Sequence, residues 1–319
     1  MRGLSDDFMK DLLETDGKLH PILERVQKDH NLMLAIRDGY INIYYLGGNI
    51  LRVTKRGGFY RTFFDVKYAK PGQYVANPEE DIRNPADAQR LVACLPERKI
   101  IMNEYFAGGS KTTEQEFQQL VARENNNSSI SNETEYFVSD IEVTVPRLTR
   151  FDIVAIRWLA KDRKTGRRCT AALIEMKYGD DALEGKAGLL EHLKDMTEFI
   201  SDTKQYIDLL QTMQIQFNQL DKLKLLNFKR AKNLEIVLYD EEKPEEIKRP
   251  EVIFILANHN PRSPKLSKIL SNPEFDKYEQ SKLFDLRFYV SSFAGYGLHA
   301  DNMRTLAEFR KLAEVKKRI

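Results

Sequence analysis

Three strand-length runs arrive in succession between residues 135 and 179, "EYFVSDIEVTV", "RFDIVAIRWLA" and "RCTAALIEMKYG", and long helical text follows them. Few folds accommodate that order. Strands joined by short turns pair antiparallel, whereas a strand reached only through helices can return parallel. "NLEIVLYD", "PEVIFILANHN" and "KLFDLRFYVSSF" read as the returning strands, the charged loop "EEKPEEIKRP" lies between the first two, and an amphipathic helix from about Asp301 closes the chain. The intervening helical text carries Leu183, Leu189, Leu193, Met196 and Phe199, then Ile207, Leu210, Phe217 and Leu220, spacings that give each helix an apolar face. Before the strands, Thr113 and Glu116 form a capping-box pattern that opens a helix. Helix, three strands, helices, strands, helix predicts an α/β domain over residues 110–319, built as a mixed sheet flanked by helices.

Residues 1–109 have a different texture and read as an accessory region. Ser5 to His30 gives two short helices divided by Gly17 and Pro21. The next run has strand character and is punctuated by Asp38-Gly39, Gly47-Gly48 and Gly57-Gly58, the signals of a small antiparallel meander. "FFDVKYA" is expected as its last strand, carrying Asp65 and Lys67. A loop from Pro71 to Asn84 and helical text from Pro85 to Ala107, interrupted near Pro96, complete the region.

Lys and Arg outnumber Asp and Glu by only 50 to 48, so any nucleic-acid surface must be a local patch and not a global field. Cys94 and Cys169 have no metal-ligand spacing and fit a reduced, cytoplasmic chain. "MRGLSDDFMKDLLE" becomes charged too early for a signal peptide, and no apolar run suits a membrane span. The five histidines show no paired ligand spacing, which argues against a zinc hydrolase, and no Walker-type loop appears.

Chemistry concentrates in "ALIEMKYG". Positions two apart on a strand share a face, so Glu175 and Lys177 project together while Ile174 and Met176 point into a packed layer. A hairpin through "KDRKTGR" brings Asp152, at the head of "DIVAI", within cross-strand reach of Glu175. Two carboxylates beside an ammonium suit a hard divalent cation, magnesium or manganese. Lys177 then stands where it can orient a water or stabilise charge on a phosphate. The decoy "FFDVKYA" has no upstream partner acid and precedes a proline loop, so Asp65 and Lys67 read as structural. Asp140 and Glu142 read first as a solvated strand face, with an extra metal ligand as the alternative, and "KDRKTGRR" first as a solvated turn, with contact to a phosphate backbone as the alternative. "ANHNPRSPK", with His259 and Arg262, reads as a polar turn.

Asp152, Glu175 and Lys177 on adjacent strands, behind a helix bearing acids, resemble the PD-(D/E)xK, or restriction endonuclease-like, nuclease superfamily, whose core has the same helix, three strands, helix, strand order. The resemblance covers about half the chain, and Phe151 stands where the family name has Pro. It implies a Mg2+- or Mn2+-dependent nuclease acting on DNA ahead of RNA, in repair, recombination or defence. Asp152 and Glu175 would be metal ligands and Lys177 the catalytic lysine. It further implies an acid from the first helix, Glu116 with Glu124 in reserve, and a polar residue on the later helix, Lys186 or His192. The alternative is an inactive nuclease-fold module that binds nucleic acid or a protein partner, and residues 202–227 offer a homodimer surface.

Overall fold

The computed structural model describes residues 3–108, 113–145, 149–232, 234–257, 263–291 and 295–313. The chain divides into two units: Met1–Ser128 with Ile215–Asn227, and Ser129–Gln214 with Phe228–Ile319. The first unit thus extends beyond the boundary expected near residue 109.

In that unit, helices α1 (Asp6–Leu13), α2 (His20–Lys28) and α3 (Pro85–Ala107) accompany a five-stranded antiparallel sheet. Its strands run in sequence order: β1 (Met33–Ile36), β2 (Tyr40–Tyr45), β3 (Gly48–Arg56), β4 (Phe59–Phe63) and β5 (Glu79–Ile82). Gly39, Gly47 and Gly57 turn with φ of 74°, 75° and 58°, as the hairpin signals predict. Ile41, Ile43, Leu51, Val53, Tyr60 and Ile82 are buried and form the core side of the sheet. Helix α4 (Thr113–Asn126) belongs here because Gln119 completes the β2–β3 turn, accepting from Gly47 N at 2.7 Å and donating to the Asn31 carbonyl at 2.9 Å.

Three expectations for this region fail for identifiable reasons. The decoy is not on a strand: β4 stops at Phe63, and Asp65 caps a 3-10 turn over Val66–Tyr68 while pairing with Lys67 at 3.0 Å. The expected loop contains β5, whose "EEDI" has no apolar alternation but pairs with β4 from Tyr60↔Ile82 to Phe63↔Glu79. Helix α3 runs unbroken through Pro96, which lies exposed, so water can satisfy the carbonyl that the proline leaves without a donor.

The second unit holds a five-stranded mixed sheet formed by β6 (Tyr136–Val145), β7 (Thr149–Arg157), β8 (Thr170–Tyr178), β9 (Glu251–Ala257) and β10 (Asp285–Val290), in the order β10-β9-β8-β7-β6. β6, β7 and β8 pair antiparallel, then β9 and β10 join parallel. The parallel addition follows from helices α5 (Leu189–Ser201) and α6 (Thr203–Lys222), which carry the chain from β8 towards β9. β9 is buried at every position, as a strand covered on both faces should be. Phe199 of α5 packs edge-on against Phe151 of β7, and on the other face Phe288 of β10 stacks on Phe309 of helix α7 (Leu306–Ala313).

"NLEIVLYD" is not a strand. Its described residues are irregular, with Val237 N bonded to the Gly166 carbonyl at 3.0 Å and Leu238 N to Gln214 Oε1 at 2.9 Å. Ile236 and Leu238 are buried nevertheless. The segment covers the "KDRKTGRR" turn, whose charges are largely engaged. Arg163 is buried over Phe137 and Phe228 and donates to the Asn132 carbonyl at 2.7 Å, Arg167 pairs with Asp240, and Arg168 with Asp162. Of the apolar residues in the 202–227 stretch offered as a dimer surface, Leu210, Phe217 and Leu220 are buried within the single chain and Ile207 is half-buried.

Candidate functional site

The β7–β8 register runs from Arg157↔Thr170 to Ile153↔Ile174. One residue further on, Asp152 comes opposite Glu175. There the Asp152 carboxylate accepts the Met176 N–H at 2.9 Å, taking the place that a β7 carbonyl would hold in a regular ladder. The acid therefore sits in the mouth between two strands, held from the partner backbone. Lys177 Nζ lies 2.7 Å from Glu175 Oε1, and the two side chains are only 4% and 3% exposed. The structure thus pairs Glu175 with Lys177 and places Asp152 one step beyond the β7–β8 ladder, bonded to the backbone between them.

His192 joins them from α5. Its Nε2 is 2.9 Å from the same Glu175 oxygen, without the alignment of a hydrogen bond. Burial alone would lift the Glu175 carboxyl, but the His192 contact and the Lys177 charge outweigh it and hold the group below its ordinary value. Glu175 Oε2 is buried and meets no hydrogen-bond donor among the described residues. An ionised carboxylate with one bare oxygen in a dry site is costly, and a bound cation would relieve it. Two acids against one ammonium leave the trio at −2 + 1 = −1, so a divalent ion would bring it to +1. The donors are hard oxygens of the kind magnesium and manganese take. Among the described residues no set of three or more His, Cys, Asp or Glu converges at metal-binding distance.

Glu142 acquires a place that alternation does not foretell. A bulge shifts the β6 register between Val138 and Asp140, and the pairs Ile141↔Ile153 and Val143↔Phe151 bracket Glu142 across from Asp152. Its φ is 52°, the left-handed region, in mid-strand. Its carboxylate lies 3.7 Å from Arg150, and Oε1 is buried without a hydrogen bond. Asp140 is fully buried, with Oδ1 accepting the Ile141 N–H at 2.8 Å, so the solvated face expected for this pair does not exist.

The remaining candidates lie elsewhere. Glu116 is exposed on α4 in the first unit, lining a cavity of about 310 Å3 with His30, Leu46 and Arg123, and Glu124 pairs with Arg123 at 2.8 Å. The side chain of Lys186, and all of His259 and Arg262, fall outside the described residues. A cavity of about 820 Å3 beside α5 is lined by Glu184, Glu191 and Asp195 against Lys268. None of Asp152, Glu175, Lys177 or His192 lines it, and its acidic wall is unsuited to a polyanion. Burial pushes the Cys169 thiol up to about 12, which keeps it protonated and inert. No family model, curated protein or solved structure matches the chain, so the chemistry of the cluster is read from its own geometry.

Proposed function

We propose that the second unit is a divalent-metal-dependent phosphodiesterase acting on nucleic acid, with a restriction endonuclease-like core. What carries the reading is the bare Glu175 oxygen, buried in the mouth between β7 and β8 beside Asp152 and Lys177. The order β6, β7, β8, α5, α6, β9 and the mixed pairing of the strands support it, although α4, the helix that precedes them, belongs to the first unit. Asp152 and Glu175 would hold magnesium or manganese, which when bound neutralises phosphate charge and acidifies water.

The side chains have separate tasks. Lys177 spends one of its three N–H donors on Glu175 and has others to orient an attacking water or to meet a non-bridging phosphate oxygen. Asp152 is fixed by the Met176 N–H, which limits rotation of its carboxylate. His192 keeps Glu175 ionised from the helix side. The acid implied from the first helix remains part of the proposal, with Glu116 and Glu124 as its candidates.

Asp152→Asn is the informative variant, because an amide oxygen can still accept from Met176 N while the charge is lost. Wild type should cut plasmid, linear duplex or single-stranded substrate with magnesium or manganese and not in EDTA, and Asp152→Asn should lose about a hundredfold or more. Millimolar manganese should also raise the melting temperature of the wild type and leave that of Asp152→Asn unmoved. Equal cleavage by the two proteins would overturn the assignment.

A further inference from the structure

The antiparallel sheet of the first unit buries one face and leaves much of the other open. The registers Tyr40↔Thr54, Arg52↔Phe63, Arg56↔Phe59 and Arg61↔Asp81 set Tyr40, Arg52, Arg56, Phe59, Arg61 and Phe63 side by side on that second face. Phe63 is 38% exposed, Tyr40 and Phe59 are half-buried, and the arginines are exposed. The groups are interleaved: the Arg52 guanidinium lies 5.4 Å from the Tyr40 ring and 5.9 Å from Phe63, and Arg83 lies 4.5 Å from Phe59.

We infer that this face binds single-stranded nucleic acid. A single strand offers flat bases and regularly spaced phosphates, and recognition surfaces for it combine exposed rings or guanidinium planes with positive charge. Here both occur on one sheet face. Arg61 and Arg83 are partly neutralised by Asp81, at 3.0 Å from each. Arg52 and Arg56 form no ion pair with a carboxylate among the described residues, and Arg52 bonds only the amide oxygen of Asn42, at 3.2 Å. Four arginines against Asp81 and Glu79 leave the face at +4 − 2 = +2 in a chain whose whole net charge is also +2. An exposed arginine already held near aromatic rings is partly ordered, so a further contact to a base costs little side-chain entropy. A duplex keeps its base faces stacked inside, where exposed rings and guanidinium planes cannot reach them. The inference is independent of the phosphodiesterase reading, since it concerns binding by the first unit.

The test uses the full chain in EDTA with a fluorescent oligothymidine or oligouridine of about 15 nucleotides, read by anisotropy across a salt series. Arg52→Ala and Phe63→Ala should each weaken binding about tenfold, and Arg52→Lys should fail to restore it fully, because a lysine keeps the charge and loses the stack. Arg52→Ala should also reduce the slope of log affinity against log salt by about 0.7. Lys28→Ala removes an exposed charge of α2 and not of the sheet and should bind like wild type; binding is read in EDTA, without cleavage, so a failure here is distinct from a failure of the cleavage site. Arg56→Ala, at an exposed position, serves as a second variant if another folds poorly, with circular dichroism as the check. Unchanged affinity in the Arg52→Ala/Phe63→Ala double variant would overturn the inference. So would equally tight duplex binding, or displacement by polyglutamate as effective as by unlabelled oligonucleotide, which would indicate an acidic protein partner.

Discussion

Glu175 and Lys177 form an almost wholly buried ion pair, and such pairs are poor devices for stability alone. Removing one partner strands the other. Lys177→Met should therefore cost about 3–5 kcal/mol in urea denaturation, whereas Glu175→Gln/Lys177→Met should recover most of that while remaining inactive. The pH dependence has a definite sign. A carboxyl held below its ordinary value, near 4.5, stabilises the fold above that pH, and the contribution is lost as pH falls through the lower folded-state value. Urea midpoints of wild type should thus fall more steeply below pH 4.5 than those of Glu175→Gln. At this scale acid-x-Lys spacing puts Glu175 and Lys177 on one face, where they pair, whereas the long connection between β7 and β8, with its two 3-10 turns, leaves the choice of the acid opposite to the strand register. His192 was only one of two helix candidates, because helix rotation against a sheet is set by packing that spacing does not encode.

Elements were legible where apolar periodicity marks them and illegible where pairing does the work. β9 and α5 declare themselves by composition, whereas β5, "EEDI", is a strand only because β4 has an open edge for it. "NLEIVLYD" has strand propensity but its N–H groups go to Gly166 and Gln214. The β6 bulge hides inside an apparently regular alternation, and with it the left-handed Glu142 opposite Asp152. That conformation costs a non-glycine residue about 1–2 kcal/mol. Glu142→Gly should consequently be neutral or stabilising by up to about 1 kcal/mol in thermal or urea unfolding, whereas Val143→Gly, at a buried position on the same strand, should destabilise. Loss of stability in Glu142→Gly comparable to that in Val143→Gly would show that its carboxylate contacts outweigh the backbone strain.

For the whole molecule, the sequence changes texture near residue 109, whereas the two units are defined by contact and not by chain order. The first unit includes residues 215–227, more than eighty residues beyond Ser128. Those residues supply particular bonds: Gln216 donates to the Ile36 carbonyl at 2.7 Å, Gln219 clasps both Leu4 backbone groups at 3.0 and 2.8 Å, and Gln27 reaches the Leu223 carbonyl at 2.8 Å. A fragment ending at Ser128 should accordingly show a weakened, non-cooperative melt by circular dichroism, improved by adding a peptide of residues 215–227. On the ribosome the same arrangement sets a schedule. The portion translated first cannot finish folding until residue 227 has emerged from the exit tunnel, so it must wait, incomplete, while most of its younger neighbour is still being made.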